Sequence, residues 1–488
     1  MIIVFILLVI VESLLIIISN FIRIPQFSSI LLAVLICLIY IIIFTRANIS
    51  DCSRKVLAGI AIASISWSVF SAYALPYWNS IVIQDVIGNQ YPATKSIDYM
   101  LSAKQAQEDF DYAVQCLEKV HPAILEDNKL SSYIQRSRLD CTDDSISVHN
   151  LYQHLQTIAA SFHDAHTKVF PVWNSRHWID YSLYGEIYSI NGILKNDFEF
   201  TFGKFISSET TDWTRKKISG SFNSYEGLRL LGLFDSDTLK VEFINDDSTI
   251  VKQSFTKHDF KQKESYASFS LTSEEYAIFK YDDSISSGYL NLSNCFYYTL
   301  EQHLKFKNIL KEFFAEVKSR QYEHIVIDLR NNPGGNASLA NELFRYLPID
   351  SLSLGARYHR FGPVMVGGKK KLHNAIYKDL CFNGEVYVLT SLDTFSGAMH
   401  ITDYLQGNHL AKVVGESPGN TPTCYTDITH FVLPNSKLSL TISTGKFIRV
   451  EESCEANLIV PDIACKSETA YKTLKRMLLD ARNDSKKL

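Results

Sequence analysis

The chain has 488 residues, 46% of them apolar, and a formal net charge of −4. That length accommodates more than one domain at roughly 100–200 residues each. The balanced charge and the lack of a basic stripe exclude nucleic acid as an expected partner.

The apolar residues are concentrated at the start. Three blocks, 2–19, 27–45 and 56–75, each approach the ~20 residues that a bilayer-crossing helix requires. The first has no basic start and no small-residue cleavage site, so three transmembrane helices are expected rather than a signal peptide followed by two. Glu12 lies within the first block as a helix-packing contact. The link around Arg23 carries one positive charge, whereas the link "RANISDCSRK" carries Arg46, Arg54 and Lys55 and is expected to be cytoplasmic. The N-terminus is then also cytoplasmic, and everything after Leu75 lies in the periplasm or exterior, with Tyr77 and Trp78 at the outer membrane surface. Seven of the nine cysteines fall in that exported part, and their spacing assigns no pairs and fits no zinc ribbon.

Residues 97–165 form a helical region. The run "DFDYAVQCLEKVHPAIL" repeats apolar residues at three and four until Pro122, and "SVHNLYQHLQTIAASF" begins at a serine cap. After "HDAHTKVFPVW" the pattern becomes extended. Residues 166–276 read as a small β-rich module, with strand-like "GEIYSING", "TLKVEFIN" and "TIVKQSF" and a helical stretch near "SSETTDWTRKKI". From 277 to 488, strands such as "SGYLNLS", "HIVIDL" and "EVYVLT" alternate with helices at 300–318, 337–346 and 397–405. Such alternation predicts an α/β core with a mainly parallel sheet and covering helices. Ligands of these sheets bind beyond the carboxyl ends of the strands.

Two segments sit at such ends. In "HIVIDLRNNPGGN", a buried strand breaks into adjacent glycines, Gly334 and Gly335, where another group can approach the main chain closely. In "TSLDTFSGAMH", Ser396 stands between a strand and a helix start. A serine there can be a simple N-cap, but this order also exposes a nucleophile beside amide donors. The N–H of Gly397 and those of the Gly334-Gly335 turn are such donors for a developing oxyanion.

"IDLRNNPGG" followed some sixty residues later by "TSLDTFSGA" resembles the C-terminal-processing (tail-specific) and tricorn-type serine peptidases. "EDFDYAVQCLEKVHP" resembles that family's helical region, "HDAHT" its Asp-x-His-Thr segment, "IYSINGI" a strand of its PDZ-like module and "EANLIVPDI" its Glu-x-x-Gly-Val-x-Pro-Asp-Ile ending. Leu458 departs from the glycine of that ending. The resemblance implies a ClpP/crotonase-like peptidase core with an inserted PDZ-like module, and serine endopeptidase activity on proteins or peptides without a cofactor or metal. One branch of the family uses a lysine about 25 residues after the serine; here the stretch reads "GESPGNTPT", with no lysine. The other branch uses histidine and a carboxylate, which maps onto His166 and Glu455. Glu451 and Glu452 are nearby alternatives to Glu455.

The residue chemistry agrees with this branch. An imidazole of near-neutral pKa can take a serine proton, and a carboxylate fixes its tautomer. Three alternatives stand beside it. Lys446 could serve in a Ser–Lys pair, with Lys412 less well spaced. His163 and His166 could form a metal pair at i, i+3, whereas His121 reads as structural. The same fold could also serve as a non-catalytic ligand binder, as in retinoid-binding relatives. No Gly-Leu-Gly-Phe-like loop marks the β-rich module as a binder of chain ends.

Overall fold

The computed structural model describes residues 92–137, 144–173, 175–234, 237–264, 277–296, 300–452 and 456–485, with eleven scattered positions before them. Its centre is a six-stranded sheet in the order Ala277–Asp282, Ser287–Leu292, His324–Asp328, Glu385–Thr390, Lys412–Gly415 and Ile463–Ala464. The first pair is antiparallel and the others parallel. Side chains alternate across a strand, and both faces of this sheet are covered. Ile325, Ile327, Val386 and Val388 pack with Phe313 and Phe314 of the helix Leu300–Ser319 and with Met399 and Leu405 of the helix Gly397–Gly407. Val326, Tyr387, Leu389 and Val414 face Leu474 and Leu478 of the helix Ala470–Ser485. Two-sided burial explains why these strands read as nearly continuous apolar runs.

A second sheet is antiparallel, in the order Val364–His373, Ser351–Phe361, Ser439–Ile448 and Cys424–Val432, with the short strand Lys168–Phe170 paired to Ser439–Ile448. Two helices pack against it, sharing a core that includes Leu117, Leu155, Val169, Leu440 and Ile442. The first, Ala103–Val120, opens with a Ser102/Gln105 capping box and ends before Pro122. The second, Val148–Ala160, is capped by the Ser147 hydroxyl, which accepts from the Asn150 N–H. A third, four-stranded antiparallel sheet runs Ile193–Leu194, Glu186–Ile190, Leu239–Ile244 and Ile250–Phe255. It shares a core with Ile218 and Phe222 of the helix Thr211–Phe222.

The expected fold class needs correction in two respects. The architecture is mixed α/β with several sheets, and parallel pairing is confined to the central one. The strand Val364–His373 buries no side chain and carries Lys369, Lys370 and Lys371, while Cys424–Val432 buries Thr426 and Thr429, so long strands are concealed within polar-looking sequence. Secondly, among the described residues no helix is long and apolar enough to cross a membrane. The spans expected at 2–19, 27–45 and 56–75 fall almost wholly outside the described residues. The multi-pass topology, with a cytoplasmic N-terminus and a periplasmic or extracellular catalytic domain, is therefore withdrawn. It rested on the three apolar blocks and on Arg46, Arg54 and Lys55 in the second link, and no described helix supplies the ~20-residue apolar span that a crossing requires.

Candidate active site

Ser396 occupies the turn between the strand Glu385–Thr390 and the helix Gly397–Gly407, with φ 50° and ψ −117°. Such a backbone costs a non-glycine residue about 1–3 kcal/mol and persists only where its surroundings enforce it. Three contacts do so. The Ser396 N–H donates to Asn420 Oδ1 at 2.8 Å, Ser396 O accepts the His400 N–H at 2.9 Å, and the Phe395 N–H donates to Asn332 O at 3.0 Å. Asn420 lies in the "GESPGNTPT" stretch that lacks a lysine, and it is almost fully buried.

Opposite the serine, His166 Nε2 lies 3.0 Å from Ser396 Oγ. His166 directly precedes the paired strand Lys168–Phe170. Its N–H donates to Asp164 Oδ1 at 3.0 Å, and its carbonyl accepts from Thr441 Oγ1 at 2.7 Å. Its ring lies against Phe395, with centroids 5.1 Å apart. Residues 230 positions apart in the chain thus meet because the strand before Phe170 is laid along Ser439–Ile448.

Asp164 is fully buried. Its Oδ2 accepts from Thr167 Oγ1 at 2.6 Å and from His121 Nε2 at 3.1 Å. His121 Nδ1 accepts the Ala123 N–H, which places its proton on Nε2 facing Asp164. Burial by itself would raise the Asp164 pKa, but hydrogen bonds from His121 and His166 hold it well below the usual carboxylate range. His166 Nδ1 is 3.4 Å from Asp164 Oδ1, a long contact, and has no closer hydrogen-bond partner among the described residues. Burial pushes the imidazolium pKa down; the Asp164 and Glu209 carboxylates outweigh it, and the net shift is upward.

Sequence reasoning missed Glu209. Its two carboxylate oxygens are buried without a side-chain hydrogen-bond partner among the described residues, and ligand-capable atoms of Asp164, His166 and Glu209 all lie within 4.8 Å of one another. Burial, then the Asp164 charge, push its pKa up to about 7. An oxygen–oxygen–imidazole set can hold a metal ion by donor type. Here the Asp164 oxygens are already engaged by His166 N, Thr167 and His121. His163, expected as a possible metal partner, is exposed and outside this cluster.

The glycine turn lies against the nucleophile. Gly334 and Gly335 have φ of 98° and 122°. A side chain on Gly334 would meet Gly397 N and Phe395 O at 2.6 Å, and one on Gly397 would meet Gly335 O at 2.3 Å. The N–H of Gly334 donates to Asn332 Oδ1 at 2.8 Å, so its contribution is close approach rather than a free donor. The N–H groups of Gly335 and Gly397 have no acceptor among the described residues. Asn332, also missed in the sequence, is fully buried and donates from Nδ2 to Leu292 O, tying the turn to the central sheet.

The other expected residues lie elsewhere. Lys446 Nζ is bonded to the Glu126 carboxylate at 2.7 and 2.9 Å, and Lys412 is paired with Glu385. Ser391 Oγ donates to Arg330 O. Glu452 pairs with Lys369 at 3.0 Å, while Glu455 lies outside the described residues. Among the described residues Cys295, Cys381, Cys424 and Cys465 are free thiols.

Residues 286–465 match the family model described as peptidase family S41. Among solved structures, mature CPAF complexed with lactacystin is similar with a TM-score of 0.56 at 12% identity, over 78% of this chain and 97% of that one. Mature CPAF gives 0.55 at 12% identity, over 77% and 96%. These likenesses establish the fold. The photosystem II D1 C-terminal processing protease is similar at 13% identity over 76% and 97%, with a TM-score of 0.41. No curated protein sequence matches the chain.

Proposed function

We propose, from the premise that the chain is a serine peptidase of family S41, that Ser396 and His166 are its nucleophile and base. Ser396 Oγ attacks the peptide carbonyl carbon while His166 Nε2 takes the hydroxyl proton. The carbonyl oxygen becomes an oxyanion between the N–H groups of Gly335 and Gly397, with Gly334 keeping the turn close. The C–N bond then breaks, and the leaving amine takes the proton from Nε2. Water attacks the resulting ester with the same histidine as base, releasing the carboxylic acid and restoring the serine.

The observation that carries this reading is the 3.0 Å Nε2–Oγ contact at a serine held in a positive-φ turn. The ion pair of Lys446 with Glu126 disfavours the Ser–Lys alternative. The resemblance of the family ending offers Glu455 as one carboxylate for the histidine, with Glu451 and Glu452 beside it. The substrates are proteins or peptides. The four-stranded insert fits the family's PDZ-like module, and its edge strand Ile250–Phe255 offers main-chain groups to which an extended substrate end could add as a strand. The test is labelling by a fluorophosphonate alongside hydrolysis of a peptide library. Wild-type protein is expected to do both, and Ser396→Ala neither. A folded wild type inert in both assays would overturn the reading.

A further inference from the structure

We propose that Glu209, supplied by the inserted module, is the carboxylate that partners His166 during turnover. This rests on the reading of His166 as base and adds a positioning residue to it.

Three buried polar atoms lack a close side-chain partner at this point: His166 Nδ1 and both oxygens of Glu209. Leaving buried polar groups this close together unpaired is unfavourable. Asp164 is the obvious rival, and its geometry argues against it. It stands two residues from His166, binds that residue's own N–H, and gives its other oxygen to Thr167 and His121. Its Oδ1 stands 3.4 Å from Nδ1 but already accepts the His166 main-chain N–H, so its hold on the ring is long and shared. The hydrogen bonds that act on the Glu209 carboxylate come from the main-chain N–H groups of Ala165 and of Glu209 itself. A Glu209 oxygen lies within 4.8 Å of a His166 ring nitrogen, and closing that gap would give the 2.7–2.9 Å of a charge-assisted bond.

The main chain under Glu209 is fixed by both halves of the site. Gln156, on the helix Val148–Ala160, donates to Phe205 O and Ser207 Oγ at 3.0 Å and accepts the Val169 N–H. Thr210 Oγ1 donates to Gly419 O at 3.2 Å, next to the Asn420 that holds Ser396. Trp213 stacks on Phe395 with centroids 4.6 Å apart, and Lys216 pairs with Asp393. The segment carrying Glu209 is therefore docked on the nucleophile loop on one side and on the histidine strand on the other. The segment matched by the family model, 286–465, contains neither His166 nor Glu209. The base and its partner come from the parts of the chain that close over it.

When His166 takes the Ser396 proton it becomes a buried imidazolium with Nδ1–H directed away from the serine. An ionised Glu209 there lowers the energy of that state and of the transition state leading to it. Besides Asp164 and Glu209, the charged or titratable groups acting on His166 and Glu209 are Lys168, His400 and Cys424.

The experiment compares wild type, Glu209→Gln, Glu209→Asp and Glu455→Gln in peptide hydrolysis across pH, together with the titration of the His166 ring by NMR. NMR is done in a Ser396→Ala background, where the outcome does not depend on peptidase activity. Glu209→Gln is expected to lower kcat by on the order of 10–10³-fold with KM within about threefold. The acidic limb of kcat/KM should move to lower pH, and Glu209→Asp should recover part of kcat. In the Ser396→Ala background, Glu209→Gln should lower the His166 ring pKa, since it removes a neighbouring negative charge. An unchanged ring pKa would overturn the proposal whatever the activity. So would loss of turnover in Glu455→Gln but not in Glu209→Gln. A ring pKa that falls as expected in a protein inert to every substrate would support the pairing and count instead against the peptidase reading.

Discussion

At the residue scale, the site is a serine held in an unfavourable backbone by neighbours remote in sequence. Asn420→Ala removes the acceptor of the Ser396 N–H and should reduce kcat about tenfold or more by loosening the nucleophile. Asn420→Asp keeps an acceptor and should lose less; equal losses in both would show that the contact is not what matters. Lys446→Ala should leave turnover within about twofold of wild type, because its ammonium group is committed to Glu126. Glu209 gives a stability prediction with a definite sign. Its folded pKa is about 7 against an ordinary 4.5. The folded state therefore binds the proton more tightly, and its stabilising contribution is complete below pH 4.5 and lost as pH rises through 7. The fall in thermal midpoint between pH 5 and pH 8 should be smaller in Glu209→Gln than in wild type; an identical fall would mean that Glu209 is ionised throughout. Ser396, His166 and the glycines were legible because their motifs are local. Asn332, Asn420 and Glu209 were not, since each acts through a partner that only the tertiary fold brings near.

At the element scale, two connections carry the geometry: the Gly334-Gly335 turn and the docking of the helix Thr211–Phe222 on the nucleophile loop. A side chain at Gly335 would meet Cys295 C and O at 2.6 Å in a backbone of φ 122°. Gly335→Ala should therefore lower both the thermal midpoint and kcat, the strain alone costing about 1–3 kcal/mol. A stable, fully active Gly335→Ala enzyme would remove the turn from the mechanism. Trp213→Ala deletes the stack on Phe395 and the surface lying against Gly419. It should increase amide hydrogen exchange in residues 392–396 and lower kcat, without abolishing the fold of the central sheet. Strands buried on both faces and helices with caps could be read from periodicity and end signals, as for Ser102 and Ser147. The long antiparallel strands could not, because Val364–His373 buries no side chain and Ser439–Ile448 buries Ser439, Thr441 and Ser443 among its apolar residues.

At the scale of the whole molecule, the catalytic groups are distributed over the chain. The sheet that places Ser396 is built from residues after 277, whereas His166 and Glu209 come from before it. That distribution accounts for a family match confined to 286–465 beside a structural likeness spanning 78% of the chain. It also shows where sequence reading reached too far: apolar composition near the N-terminus was translated into a membrane topology that no described helix supports. The most direct test of the central claim is reaction with a fluorophosphonate, followed by intact mass and peptide mapping. The account predicts a single adduct on Ser396, absent in Ser396→Ala and formed at least about 10²-fold more slowly in His166→Ala. An adduct on another serine such as Ser391, or labelling that survives both substitutions, would contradict it.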